Sequence, residues 1–207
     1  MTGVKTEFGD ISLRAIIVGP LDVNCYIVWK TGSKEAFIID PGGDADIIMD
    51  ALNEDGLKAA YILNTHGHFD HIDANIELRD SLKAPLAIHE SDIALLRTAS
   101  EHAALLGCEA TNQKDPDKVL SGGEDFEAGG LKIEVIHTPG HTEGGVCFYI
   151  KDEGVLFTGD TLFQNSIGRT DLPGGSYPEI MTSIREKIIP LGDNVVIFPG
   201  HGPGSKV

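Results

Sequence analysis

The chain has 207 residues, of which 41% are hydrophobic and 23% are charged, values typical of a globular domain. They exclude a disordered or collagen-like chain, and no run reaches the roughly 18 apolar residues that a membrane-spanning helix requires. The formal net charge of −16 at pH 7 disfavours nucleic acid as a partner, because an acidic surface repels the phosphate backbone.

The N-terminal segment and the cysteines indicate where the protein works. Residues 1–10 are polar and mixed in charge, without the basic start and apolar stretch of a secretory signal. Cys25, Cys108 and Cys147 are too few and too scattered for a disulfide framework, which is typical of reduced thiols. We therefore expect a cytoplasmic protein without a membrane partner.

Short β-branched or aromatic runs alternate with helical patterns in the first half of the chain. They predict strands over Ile11–Val18, Asn24–Trp29, Ala36–Ile39, Ala59–Leu63 and Pro85–Ile88. They also predict helices over Asp44–Asn53, Phe69–Leu82 and Ser91–Ala99, with Asp44 and Ser91 as N-caps.

The second half repeats this order after an irregular stretch, Glu101–Gly123, which we interpret as helix remnants and loop. Strands are predicted over Leu131–Ile136, Val146–Ile150, Val155–Phe157 and Val195–Phe198, and a helix over Pro178–Ile189. Since no linker separates the halves, we predict a single α/β domain over residues 1–207, built as a four-layer αββα sandwich.

Four of the predicted strands end in motifs with metal-ligand side chains. The densest is His66-Gly67-His68-Phe69-Asp70-His71, which follows Ala59–Leu63. In an extended loop His66 and His68 face one side, and Asp70 and His71 come where the chain turns into a helix. Imidazole and carboxylate groups suit a borderline cation such as Zn²⁺. This crowding of ligand types therefore indicates a metal site.

Three further residues complete two metal sites in this prediction. His141, Asp160 and His201 each follow the end of a predicted strand, and loops at strand carboxyl ends gather at one edge of a sheet. We assign His66, His68 and His141 to one metal ion and Asp70, His71 and His201 to the other, with Asp160 as the bridge. The ions are two divalent metals, with zinc, iron and manganese as alternatives.

The histidine motif, together with His141, Asp160 and His201, resembles the metallo-β-lactamase-fold hydrolase superfamily over nearly the whole chain. Within it, Thr138-Pro139-Gly140-His141-Thr142 and the run 157–163 resemble glyoxalase II, the hydroxyacylglutathione hydrolases. The run 166–175 resembles the short bacterial branch of that family. The resemblance implies the αββα fold and a binuclear metallohydrolase.

The sequence also departs from the relatives that it resembles. Glyoxalase II carries a helical C-terminal domain that helps to hold glutathione, whereas this chain stops at Val207, so we expect no such separate domain. Arg169 stands where glyoxalase II has a lysine in a similar loop. Class B1 β-lactamases use a cysteine ligand at the position of Asp160, which argues against β-lactamase activity.

This set of groups favours hydrolysis of a thioester such as S-lactoylglutathione. A hydroxide that bridges two metal ions is available at neutral pH and attacks the acyl carbon. A thiolate then leaves readily, because the thiol pKa is about 8.5. An amide would need its nitrogen protonated, and Asp70 is the one acid the sequence suggests. We therefore name Asp70 and Asp160 as the catalytic residues.

Substrate binding and ligand orientation involve further candidates. Arg169 could grip a substrate carboxylate or pair with Asp171 instead, and Tyr177 could line the pocket or pack. Asp40 could accept the free N–H of a histidine ligand or be an ordinary turn residue. We take His89, His102 and His137 as ordinary surface or core histidines, and Cys147 as a core thiol.

Other functions on the same fold remain open from the sequence. A mononuclear iron persulfide dioxygenase would use His66, His141 and Asp160 with oxygen. Lactonases and phosphodiesterases are further alternatives, as is a metal-stabilised scaffold without catalysis. The expected partner is a small-molecule thioester, and the expected assembly is a monomer or a small homo-oligomer.

Overall fold

Two large sheets form the centre of the computed structural model, which describes residues 2–207. Met1, which belongs to the predicted domain range and to the polar N-terminal segment, lies outside the described residues. The first sheet follows chain order, antiparallel over its first four strands and parallel from the fourth to the seventh. Its strands are β1 (Val4–Phe8), β2 (Ile11–Val18), β3 (Val23–Lys30), β4 (Glu35–Ile39), β5 (Lys58–Leu63), β6 (Leu86–His89) and β7 (Lys118–Leu120).

The second sheet has six strands in the order β15-β14-β11-β10-β9-β8, and only its β11–β14 pair is parallel among the described residues. Its strands are β8 (Asp125–Ala128), β9 (Leu131–His137), β10 (Val146–Ile150), β11 (Val155–Gly159), β14 (Val196–Pro199) and β15 (Ser205–Lys206). The two-residue strands β12 (Leu162–Phe163) and β13 (Ser166–Ile167) form a separate hairpin.

Helices cover the outer faces of both sheets. They are α1 (Ala45–Asp55), α2 (Phe69–Ile72), α3 (Asn75–Leu82), α4 (Ile93–Arg97), α5 (Ala99–Leu105) and α6 (Tyr177–Ser183). Helices α1 and α3 pack on the first sheet, and α6, which continues as a π-helical turn over Ile184–Ile188, packs on the second. The predicted four-layer αββα sandwich is therefore confirmed.

The principal core lies between the sheets and takes residues from both halves of the chain. Phe37 of the first sheet and Phe148 and Phe157 of the second are fully buried there. The ring of Tyr26 crosses between the sheets, with its centroid 5.1 Å from that of Phe157. Each such side chain contributes roughly 1.5–3 kcal/mol through burial, so this layer fixes how the strand ends of the two sheets meet.

The helix predicted over Phe69–Leu82 is wrong as one element, because the structure divides it into α2 and α3. The carbonyl of His71, which would accept the amide of Asn75 in a continuous helix, accepts instead from the side chain of Asn64 at 3.1 Å. Asn75 Nδ2 in turn donates to Asn64 Oδ1 at 2.8 Å. This buried pair ends α2 directly after the ligand motif.

Both predicted N-caps are also corrected. Asp44 precedes α1 but has a φ of 51°, and its carboxylate accepts the amide of Gly19 at 2.8 Å rather than an amide of the helix. Ser91 lies within a 3₁₀ turn over Glu90–Asp92, and α4 begins only at Ile93.

The irregular stretch predicted over Glu101–Gly123 contains part of α5 and all of β7, and the exposed strand β1 was not predicted at all. No helix among residues 2–207 is both long enough and apolar enough to cross a membrane.

Candidate metal centre

The four ligand motifs meet at one edge of the sandwich. The loop after β5 carries His66 and His68, and helix α2 carries Asp70 and His71. The second sheet supplies the other three residues from the loops that follow β9, β11 and β14. Both sheets thus contribute to the same place, as the strand-end argument predicts.

The structure brings together two groups of three potential ligands. The first is His66, His68 and His141, and the second is Asp70, His71 and His201. Within each group the ligand atoms lie within 4.8 Å of one another. His68 Nδ1 lies 2.9 Å from His141 Nε2, and His201 Nε2 lies 3.4 Å from Asp70 Oδ2. The groups match the two sets that the sequence analysis assigned.

Asp160 lies between the two groups. Its Oδ1 is 3.5 Å from His71 Nε2. Its Oδ2 is 3.6 Å from His141 Nε2 and 3.7 Å from His201 Nε2. The carboxylate therefore faces ligand nitrogens of both groups, as a bridging residue would.

Asp40 orients the imidazoles of His71 and His66 through their Nδ1 atoms, directly for His71 and through Thr65 for His66. His71 Nδ1 donates to Asp40 Oδ2 at 3.1 Å, and Thr65 donates to the same oxygen through its hydroxyl at 2.6 Å. The Thr65 amide donates to Asp40 Oδ1 at 2.7 Å, and the hydroxyl accepts from His66 Nδ1 at 3.1 Å. Asp40 also falls within a three-residue group with His66 and His71, but it faces the Nδ1 side of His71. It therefore acts by holding His71 Nε2 toward the cluster.

The residues present fit a metal centre on an observation independent of any comparison. His66 Nε2, His71 Nε2 and Asp160 Oδ1 are buried and have no hydrogen-bond partner among the described residues. Buried polar atoms normally have partners, and all three atoms point into the same cluster. Imidazole nitrogen together with carboxylate oxygen is the donor set of zinc, iron and manganese sites. The cluster can therefore hold divalent metal ions.

Charges within the cluster set the protonation of its members. Burial alone would lower the pKa of His71, but the carboxylates of Asp160, Asp70 and Asp40 outweigh it and raise that pKa to about 10. Burial and the neighbouring His141 lower the pKa of His68 to about 3. A metal ion that binds at His71 must therefore displace a proton, so binding releases protons to the solvent.

Asp92 connects the two loops that carry the first ligand group, and the sequence analysis missed it. The carboxylate is buried and accepts three hydrogen bonds, from the Gly67 amide at 2.8 Å, the Thr142 hydroxyl at 2.8 Å and the Gly144 amide at 2.7 Å. Burial raises the pKa of this carboxyl even so. No sequence signal marks it, because its three partners lie 25 to 52 positions away.

Strand β3 holds the loop that carries His201. The backbone N–H of Asn24 donates to the Gly200 carbonyl at 2.7 Å. The side-chain Nδ2 of Asn24 donates to the carbonyls of Pro199 and Gly202 at 3.0 and 2.8 Å. Tyr26 Oη donates to the Pro199 carbonyl at 2.6 Å. The sequence carried one signal for this contact, namely a buried asparagine inside an otherwise apolar strand.

A cavity of about 310 Å³ opens beside the cluster. The histidines His68, His141 and His201 and the carboxylates Asp70 and Asp160 form its floor. Most of the remaining wall is apolar: Leu21, Phe69, Leu95, Leu105, Leu106, Leu172 and Pro173. His102, which the sequence analysis took as an ordinary histidine, also lines this cavity. The cavity lies within the size range of small-molecule sites.

The two candidate substrate residues have different positions. Arg169 lines the cavity, but its guanidinium binds Asp171 through two hydrogen bonds of 2.8 Å. Its backbone carbonyl accepts from His141 Nδ1 at 2.8 Å, which turns His141 Nε2 toward the cluster. Tyr177 begins α6 with 60% of its surface exposed, and the structure does not bring it to the cavity wall.

The remaining histidines and the core thiol lie apart from the cluster. The rings of His89 and His137 stack with centroids 4.1 Å apart. Cys147 is fully buried in β10, and burial raises its thiol pKa to about 11, as expected for a core residue.

Comparison with known proteins supplies the family. The family described as the metallo-beta-lactamase superfamily matches residues 18–201. The chain belongs to the metallo-β-lactamase superfamily. It is 38% identical to the probable metallo-hydrolase YqgX of Bacillus subtilis, over 94% of this chain and 92% of that protein. It is 37% identical to the hydroxyacylglutathione hydrolase GloC of Haemophilus influenzae, over 93% and 91%.

Solved structures agree with this membership of the metallo-β-lactamase superfamily. The BLEG-1 B3 metallo-β-lactamase superposes with a TM-score of 0.87 at 39% identity, over 94% of this chain and 93% of that one. TTHA1623 in a di-iron-bound form superposes with a TM-score of 0.83 at 32% identity, over 93% of each chain. The predicted superfamily is confirmed, and the chain is a member of a metallohydrolase family.

Proposed function

We propose that this member of the superfamily is a binuclear metallohydrolase that cleaves a thioester such as S-lactoylglutathione. The observation that carries the proposal is the pair of three-residue ligand groups on either side of Asp160. A mononuclear site would leave the group Asp70, His71 and His201 without a metal ion to bind. The 37% identity to a hydroxyacylglutathione hydrolase supports the choice of substrate.

The proposal also covers the setting of the reaction. The substrate is a small molecule, held by the metallo-β-lactamase-like domain of residues 1–207. The protein works in the cytoplasm as a monomer or a small homo-oligomer, with neither nucleic acid nor a membrane as a partner.

The seven ligand-type residues divide the work of the site. His66, His68 and His141 would hold one metal ion, Asp70, His71 and His201 would hold the other, and Asp160 would serve both. Bound divalent ions would supply an acidified water and a Lewis acid for the carbonyl oxygen. Asp40 accepts the Nδ1 proton of His71, so Nε2 is the ring nitrogen that would bind the metal ion once its own proton is displaced.

Asp70 provides the proton transfer in this mechanism. Its Oδ2 faces His71 and His201 at 3.7 and 3.4 Å, and the carboxylate would accept the proton of the attacking water. The cluster's imidazoles hold the pKa of Asp70 well below its ordinary value despite burial, so the carboxylate is ionised and can act as a metal ligand. A thiolate leaves without protonation since the thiol pKa is about 8.5, which favours thioesters over amides.

The direct test is metal-loaded turnover. The protein is loaded with Zn²⁺, Mn²⁺ or Fe²⁺, its metal content is measured, and loss of the thioester absorbance of S-lactoylglutathione is followed. Two metal ions per chain with turnover are expected. One iron per chain with oxygen uptake on a persulfide would replace the proposal with the dioxygenase. Turnover of a chromogenic cephalosporin, a lactone or a phosphodiester in place of the thioester would reassign the substrate.

Ligand variants test the assignment residue by residue. His68→Ala is expected to abolish turnover and lose about one metal ion per chain, whereas Asp160→Ala is expected to lose both. His137→Ala is the control, because that ring stacks on His89, bonds the Glu143 carbonyl and belongs to neither ligand group. Wild-type metal content and activity in either ligand variant would contradict the assignment.

A further inference from the structure

The cavity beside the metal cluster has an apolar wall that the core does not explain. Leu21, Leu95, Leu105, Leu106 and Leu172 all line it, yet none of them belongs to the packed clusters of buried residues over the described range 2–207. Leu105 and Leu106 are 82% and 52% exposed. Leucines gathered in the open around a site, rather than scattered singly, mark a surface that binds an apolar group.

In helix α5 the buried core contacts come from residues other than Leu105 and Leu106. Its inward positions, Ala99 and Ala103, are fully buried against α2 and β6. Leu105 and Leu106 come after them at the end of the helix and turn to the cavity instead. They therefore offer apolar surface to whatever lies above the cluster.

The charges at the cavity argue against an anionic substrate group on this wall. Among the residues that line it within the described chain, Arg169 is the one permanent cation. Its Nε and Nη2 atoms donate to the Asp171 carboxylate at 2.8 Å, so its charge is already paired. The chain as a whole carries a net charge of −16. The described lining thus offers one cation, already paired with Asp171, for the two carboxylates of a glutathione moiety.

We propose that the preferred substrates are thioesters with an apolar acyl chain, bound with that chain against the leucine wall defined by Leu21, Leu95, Leu105, Leu106 and Leu172. This rests on the proposed thioester hydrolysis. Water adds to the acyl carbon, a C–O bond forms and the C–S bond breaks. The products are a fatty carboxylate, a free thiol and one proton.

The experiment varies the acyl chain and the thiol carrier of the thioester independently. Zinc-loaded protein is given acetyl, butanoyl, hexanoyl and octanoyl thioesters of N-acetylcysteamine, a small neutral thiol. Lactoyl and hexanoyl thioesters of glutathione complete the set. We expect kcat/KM to rise about three- to fourfold for each methylene that enters the cavity. We also expect hexanoyl to exceed lactoyl on the same glutathione carrier.

Two variants connect that preference to the wall and to the ion pair. Leu106→Asn should flatten the rise with chain length, so that the ratio of hexanoyl to acetyl kcat/KM falls several-fold. Ile47→Asn, on the exposed face of α1 away from the cavity, is the matched control and should retain the rise. Asp171→Asn frees Arg169 and should improve glutathione thioesters several-fold without affecting the neutral series.

The outcomes distinguish this inference from the function on which it rests. A rise with chain length that Leu106→Asn removes supports the apolar wall. A flat series, or a preference for lactoylglutathione over hexanoylglutathione, overturns the inference and leaves thioester hydrolysis standing. If protein with two bound metal ions cleaves no thioester at all, the proposed function fails and the inference fails with it.

Discussion

Replacing Asp40 by asparagine tests how strongly the metal cluster depends on the carboxylate behind it. Asp40 is only 2% exposed, and its two oxygens accept from the Thr65 amide, the Thr65 hydroxyl and His71 Nδ1. Its φ of 50° is one that asparagine tolerates well. The substitution therefore changes the charge and one acceptor while the backbone is kept.

The effect on His71 follows from the direction of these hydrogen bonds. If the amide oxygen takes the place of Oδ1, the NH₂ group faces two donors, the Thr65 hydroxyl and His71 Nδ1–H. On losing one ring proton, His71 then relieves the conflict by keeping the other on Nε2, the nitrogen that must be free to bind a metal ion. Loss of such a partner typically weakens metal binding about 10–100-fold, or roughly 1.4–2.7 kcal/mol. The unsatisfied buried donor should lower the free energy of unfolding by about 1–3 kcal/mol.

The assay is a metal titration by calorimetry or chelator competition, with thermal unfolding alongside it. One of the two binding steps should be affected more than the other, since His71 belongs to only one of the two assigned ligand groups. Asp44→Asn is the matched control, because Asp44 has the same left-handed backbone but an exposed carboxylate bonded to the Gly19 amide. Wild-type affinity for both metal ions in the Asp40 variant would refute the reasoning.

Three other predictions follow from the same cluster. Gly200→Ala should abolish tight metal binding, because an added Cβ would fall on the Asp160 carboxylate and the His71 ring; unchanged metal content would contradict this. Metal binding between pH 7 and 8 should release protons and strengthen as the pH rises, because His71 keeps its proton up to a pKa of about 10. Calorimetry in buffers of different ionisation enthalpy measures the proton release. A binding enthalpy that does not depend on the buffer would contradict this prediction. Asn24→Ala removes two hydrogen bonds beside His201. It should lower the affinity for one of the two metal ions about tenfold. An equal loss of affinity for both ions would indicate general unfolding instead.

Local patterns in the sequence were enough to predict the αββα layers and the residues that meet at the cluster. Buried strands such as Ala36–Ile39 and Val146–Ile150 are continuous apolar runs, and a run of that kind needs no distant partner to be recognised. The ligand motif 66–71 is equally local, since its spacing alone places four ligand types within six residues. Its chemistry follows from the side chains themselves.

Features that depend on contacts between distant segments were not predictable in this way. Strand β1 is polar and exposed, so it forms only because β2 offers it an edge. The break between α2 and α3 depends on Asn64, a residue of the preceding strand end that captures the carbonyl of His71. A single-sequence pattern has no means of weighing such a capture against helix continuity.

The same distinction applies to the functional site. The sequence determined which side chains can bind metal, because donor atoms and local spacing belong to the residues themselves. Only the tertiary structure decided how these side chains are held and what lies above them. Asp92 and Asn24 hold the ligand loops through hydrogen bonds. The leucine wall is assembled from four separate segments of the chain. These depend on packing between parts of the chain that are far apart in sequence, and such contacts are fixed only when both sheets close on their shared core.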